Sequence, residues 1–232
     1  MAFFSPFAAS AQIPGGVGGW YVLSAKKNFN KKWFAIAEAQ VRSLKVNRAF
    51  SYHEYKFGVG YNFPKNISLV LAGGRYTTYQ FDEKEFSTPV QNDEFRIWQQ
   101  LVLNNNWGRV KLEHRYRFEQ RFTSQGYRNR FRYRINLLYP FNKPKIENGA
   151  VYLNVSNEFF LHNRNPFFEQ NRFYAGLGWV MHPNFTLQSG ILNRTDLLGS
   201  GKDNNKNFFQ LSLLFTIDEI RSGRERHPSS VD

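Results

Sequence analysis

Four glutamates, Glu94, Glu113, Glu119 and Glu158, are the carboxylates placed to do chemistry in this chain. Two carboxylates in one dry site can share acid and base work when their surroundings push their proton affinities apart. Three of these four, however, alternate directly with cations: Glu94 with Arg96, Glu113 with Lys111 and Arg115, and Glu119 with Arg117 and Arg121. Arginine keeps its charge at any working pH, so the pattern reads as salt bridging and not as proton transfer. Ser156 and Ser189 are candidate nucleophiles of the kind a lipid-cleaving barrel carries at its rim, but neither has a histidine at a telling distance. The five histidines, His53, His114, His162, His182 and His227, are scattered and match no metal-ligand spacing. With no cysteine in the chain, thiolate chemistry and zinc–thiolate sites are excluded. Gly58-Val59-Gly60 and Gly176-Leu177-Gly178 fall inside strand-like runs, where glycine eases curvature or admits a large neighbour, and are not phosphate loops. No catalytic residue, cofactor or metal is expected, and the chain is read as not an enzyme.

What must position these charges is visible in their period. From Lys111 to Arg121 every odd position is charged: Lys111, Glu113, Arg115, Arg117, Glu119 and Arg121. Between them lie Leu112, His114, Tyr116, Phe118 and Gln120. A helix would scatter these charges round its circumference, whereas a strand gathers them on one face. Arg128, Arg130, Arg132 and Arg134 repeat the pattern against Asn129, Phe131, Tyr133 and Ile135, and Glu94 and Arg96 precede it. Weaker alternation recurs along the chain. Tyr55, Phe57, Val59, Tyr61 and Phe63 oppose Glu54 and Lys56, and the alanines 35, 37 and 39 oppose Glu38, Gln40 and Arg42.

Eleven segments follow from this alternation: 18–28, 32–45, 51–63, 68–81, 93–104, 110–122, 128–140, 150–162, 170–182, 185–195 and 206–218. Most are about twice the ordinary soluble strand of about 5–6 residues. Tilted by about 40°, such strands rise about 28–35 Å, enough to cross the hydrocarbon of a bilayer. No run approaches the roughly 20 apolar residues that a spanning helix needs. Short turns near residues 29–32, 64–66, 105–109 and 182–184 alternate with longer loops near 82–92, 162–170 and 195–206. Short turns on one side and long loops on the other is the pattern of an outer-membrane barrel. The connector 140–149 is long for the short-turn side. The expected fold is an all-β, antiparallel transmembrane barrel. Since bacterial single-chain barrels have even strand numbers, twelve strands are expected, with ten next.

With apolar side chains toward lipid, the charges face the lumen, because an outward arginine at mid-membrane costs about 2–4 kcal/mol. The predicted lumen ladder is Glu94, Arg96, Lys111, Glu113, Arg115, Arg117, Glu119, Arg121, Arg128, Arg130, Arg132 and Arg134. Hairpin folding places Glu119 near Arg130 or Arg132, so a few glutamates serve many arginines. The ladder reads first as a polar filling of a narrow barrel, and second as the lining of an anion-favouring pore. The formal net charge is +13, and nine cations against three carboxylates stand on this enclosed face; no nucleic-acid partner is expected. Expected partners are outer-membrane lipid and an envelope protein.

Residues 1–11, ending in Ala9-Ser10-Ala11, resemble the remnant of an export signal. Residues 12–219 form the barrel domain, and 220–232 a disordered basic tail. The runs Phe95-Arg96-Ile97-Trp98-Gln99-Gln100-Leu101, His114-Arg115-Tyr116-Arg117-Phe118-Glu119-Gln120-Arg121-Phe122, Arg128-Asn129-Arg130-Phe131-Arg132-Tyr133-Arg134 and Gln170-Asn171-Arg172-Phe173-Tyr174-Ala175-Gly176-Leu177-Gly178 together resemble a family of uncharacterised bacterial envelope proteins. This is domain of unknown function 2490, common in Bacteroidota-type bacteria. The resemblance implies a porin-like barrel in the cell outer membrane of a Gram-negative cell, with no established activity. The extended tail departs from the family pattern. The expected role is structural or as a partner in an envelope complex, the alternatives being a narrow anion-favouring pore and a barrel enzyme acting on envelope lipids.

Overall fold

The computed structural model describes residues 16–163, 167–197 and 203–218. The signal remnant at 1–11 and the tail at 220–232 lie outside the described residues. Alternating large and charged side chains favour extended backbone, and the described residues hold eleven strands and no helix. They are β1 (Gly18–Asn28), β2 (Trp33–Lys45), β3 (Arg48–Phe63), β4 (Ile67–Tyr79), β5 (Val90–Trp107), β6 (Val110–Thr123), β7 (Gly126–Pro140), β8 (Val151–His162), β9 (Phe168–His182), β10 (Phe185–Asp196) and β11 (Asn204–Asp218). The segments read from the period match these strands one for one. The bounds differ most at β3 and β5, which begin earlier, at Arg48 and Val90.

Each strand pairs antiparallel with the next, and β1 closes the barrel against β11 in parallel, Gly18 opposite Phe208 through Asn28 opposite Asp218. The expected count of twelve, or ten, is therefore corrected to eleven. The even-number expectation assumes that first and last strands meet antiparallel, as they must in any even up-and-down barrel. An odd count brings them together parallel, and here the pairing runs the whole length of β1. Parallel ladders are only slightly less stable per residue, so the seam costs the barrel little.

The strand connections fall at two ends. The turn end carries 29–32, 64–66, 108–109, 141–150 and 183–184; the loop end carries 46–47, 80–89 and 124–125, together with the end of β8, the start of β9, the end of β10 and the start of β11. Burial alternates along the strands, most sharply along β6, with one side chain enclosed and the next outside. The outside is apolar, with Phe57 67% exposed and Leu71, Leu177 and Phe95 more than half exposed. Glycine makes room inside at two points: a Cβ on Gly178 would sit 2.1 Å from the Tyr152 ring, and one on Gly60 2.1 Å from the Phe34 ring. Both rings lie in the lumen and fill it from the turn end.

Candidate functional site: the arginine-filled lumen

All twelve residues of the predicted ladder lie on the enclosed face of β5, β6 and β7. All are buried except Arg128, which is partly exposed at the loop end. Register places like charges side by side on adjacent strands: Arg96 beside Arg121 beside Arg128, Arg117 beside Arg132, and Arg115 beside Arg134. Such neighbours repel, and the carboxylates are placed to offset the repulsion. Glu94 takes Arg96 at 2.7 Å, Arg121 at 2.6 and 2.9 Å and Arg128 at 3.3 Å. Glu119 takes Arg130 at 2.7 Å, Arg132 at 2.7 Å and Arg117 at 3.4 Å. Glu158, from β8, accepts from Arg115 at 2.6 Å and from Arg132 at 2.9 and 3.0 Å. Glu113 receives Arg134 at 2.9 Å. Lys111 sits lower, lining a small pocket beside Ile146 near the turn end. Glu94, Glu113, Glu119 and Glu158 are thus each held by arginine.

Several contributors lie beyond the predicted ladder. Lys56 donates to Glu38 at 2.7 Å and pairs with Glu54, which also takes Arg42 at 3.1 Å. The alternation of Glu38, Gln40 and Arg42 with the alanines of β2 carries that signal in the sequence. Trp20 is sandwiched between Arg42, 3.4 Å from its ring centroid, and Arg172, 4.9 Å away. Those arginines come from β2 and β9, which β1, β11 and β10 separate, so the side chains meet across the interior. Glu169 is the least legible member. A register shift between Phe160 and Leu161 leaves it opposite no residue of β8, and this bulge turns its carboxylate inward, where Arg121 and Arg130 reach it at 3.3 and 3.4 Å.

The candidate hydroxyls are separated by the barrel wall. Ser156 lines a small internal cavity beside Asn154 and Glu158, whereas Ser189 pairs with Leu177 and Leu211 among the outward positions. His114 is on the outer face, with Nδ1 2.9 Å from the Tyr133 hydroxyl.

The turn end is closed from within. The long connector 141–150 tucks Ile146 and Ala150 against Leu138, Tyr152 and Val180, all of them buried. Gly149 donates to the Val180 carbonyl at 2.8 Å, and the Arg109 guanidinium donates to the carbonyls of Pro140, Phe141 and Lys143 at 2.8–3.0 Å. The connector that is long for a turn is therefore a stopper. Above it Trp98, Arg117, Tyr152 and Phe160 have no exposed surface. Toward the loop end lies a larger cavity, of about 240 Å³, bounded by the loop residue Phe81 and by the upper rungs of the ladder. Beyond the strand ends, the loop 80–89 is tied to the β2–β3 hairpin. Glu85 accepts from the amides of Ala49 and Phe50 at 3.0 and 2.7 Å. A hydrogen bond from Lys45 holds the Glu83 carboxyl below its usual range.

A family model described as Protein of unknown function (DUF2490) matches residues 17–205, from the start of β1 to the start of β11. The chain belongs to this family. The match takes in every strand of the ladder, and the closed barrel is consistent with it. No curated protein and no solved structure matches the chain.

Proposed function

We propose that this member of the family is an outer-membrane β-barrel with a packed, non-conducting lumen, acting as a structural or docking component of the cell envelope and not as an enzyme. The observation that carries this is the filling of the lumen: the interior is occupied by interlocked arginines, glutamates and aromatic rings, and 141–150 closes the turn end.

The outer face supports membrane placement. On β3 the outward residues Tyr55, Phe57, Val59, Tyr61 and Phe63 span eight residue steps, a rise of about 20 Å at the usual tilt, against an apolar band about 25 Å tall. Aromatic pairs flank that band at both ends. Trp33–Tyr61 and Phe185–Phe215, with centroids 4.9 and 5.0 Å apart, stand toward the turns, and Phe122–Tyr127 at 5.3 Å stands toward the loops. Near the loop end the face becomes polar. Arg75 pairs with Asp93 at 2.6 Å, and Asn193 donates to Asn205 and Asn207 at 2.8 Å. With long loops outward, these groups lie at headgroup level.

A second reading, a narrow anion-favouring pore, draws on the excess of arginine round the upper cavity. Envelope fractionation with heat-modifiable gel mobility tests the placement, and planar-bilayer recording separates the two readings. Recovery in the outer membrane, a folded band of shifted mobility and electrical silence are expected. Anion-selective steps would favour the pore, and recovery in soluble fractions without detergent would overturn both.

A further inference from the structure

We propose that the cavity at the loop end is a binding site for a small, multiply charged phosphate-type anion. Nine of the side chains bounding it are basic and only three, Glu54, Glu94 and Glu169, are acidic. The excess is not a scattered surface charge. The cationic groups come from β2, β5, β6, β7, β9, β10 and β11 and converge on one space of about 240 Å³. A space of this size has room for a phosphate or pyrophosphate group.

The inner wall is fixed and the outer rim is reachable. Arg96, Arg121 and Arg130 are buried and locked by Glu94, Glu119 and Glu169, so their guanidinium groups are held in place before any ligand arrives. Arg128 and Arg194 pair with Glu94 at 3.3 Å and Asp196 at 2.8 Å, yet keep 31% and 28% of their side-chain surface exposed. The Nε of Arg128 has no hydrogen-bond partner among the described residues. Guanidinium forks match oxyanions two bonds at a time, and several converging forks favour a multiply charged oxyanion over a single carboxylate. The floor of the site is closed by packed side chains and the turn end by 141–150, so the anion is held and not passed. Anion binding in this cavity does not depend on whether the barrel lies in a membrane, and protein in detergent suffices to measure it.

The test is calorimetric titration of the full chain in detergent at constant ionic strength, with pyrophosphate, inorganic phosphate and acetate as probes. Saturable binding of one pyrophosphate, tighter than phosphate and much tighter than acetate, is expected. Arg128→Gln should weaken pyrophosphate about tenfold, the scale of one charged hydrogen bond. Arg75→Gln, which alters a cation on the outer face, should leave it unchanged. A second measurement covers misfolding of Arg128→Gln. The chain has no cysteine, so Asn92→Cys places a single thiol on the cavity wall, and pyrophosphate should slow its alkylation at least fivefold. Absence of saturable binding, equal loss in Arg75→Gln, or alkylation indifferent to pyrophosphate would each overturn the proposal.

Discussion

Arg132 donates to Glu119 at 2.7 Å across the β6–β7 pair, and both side chains are shut away from solvent. The same carboxylate also serves Arg130 and Arg117, so one negative charge is shared by at least three positive ones. Removing one partner of a buried pair leaves the others uncompensated, at a cost of about 3–5 kcal/mol. Glu119→Gln should therefore lower stability by at least about 3 kcal/mol, read as the denaturant midpoint of refolded barrel in detergent. Glu83→Gln, which loses only an exposed bond to Lys45, should shift it far less. If the two variants match, the lumen network is not what holds the barrel together.

Gly178 predicts a steric dependence inside the same lumen. A methyl group there would lie 2.1 Å from the Tyr152 ring, and Tyr152 has no exposed surface into which to move. Gly178→Ala should destabilise the barrel by about 1–3 kcal/mol, the usual cost of overpacking. Adding Tyr152→Leu should recover part of that loss, and a double variant worse than the sum would show that the ring is not what the methyl meets. The thermal midpoint reads both.

The stopper makes a third prediction. Arg109 ties the 141–150 connector through three carbonyls. A charged donor is worth about 1.5–3 kcal/mol, so its loss raises local opening roughly tenfold or more. Arg109→Gln should speed tryptic cleavage after Lys145 by that order, with global stability changed less. Cleavage at the wild-type rate would mean that packing of Ile146 alone retains the connector.

The faces of the barrel were legible because period two is a local property. Lys111 to Arg121 needs no partner strand to declare that its charges share one side, and every ladder residue faces the interior as its parity requires. What depended on distant partners was not legible. Glu169 has the wrong parity for the lumen and enters it only through a bulge against β8. The connector 141–150 stands out by length, but its inward fold needs Leu138, Tyr152 and Val180 in place to receive Ile146. The strand count failed for a related reason. All eleven segments are visible, yet nothing within a segment says how the first meets the last.

That meeting is itself testable. In the parallel seam Leu23 stands opposite Leu213, both on the outward face of neighbouring strands. Since the chain has no cysteine, Leu23→Cys combined with Leu213→Cys introduces the only thiol pair. Paired positions on adjacent strands bring Cα atoms within the roughly 4.4–6.8 Å that a disulfide spans. Mild oxidation should join them in folded barrel, giving a faster band on a non-reducing denaturing gel. Leu23→Cys with Ile217→Cys, displaced by four residues along β11, should not join, because four residues separate the sites by about 13 Å. A closure through a twelfth strand would leave both pairs apart, and an antiparallel seam would shift which pair reacts. The eleven-stranded parallel closure therefore requires the first pair to bridge and the second to stay reduced.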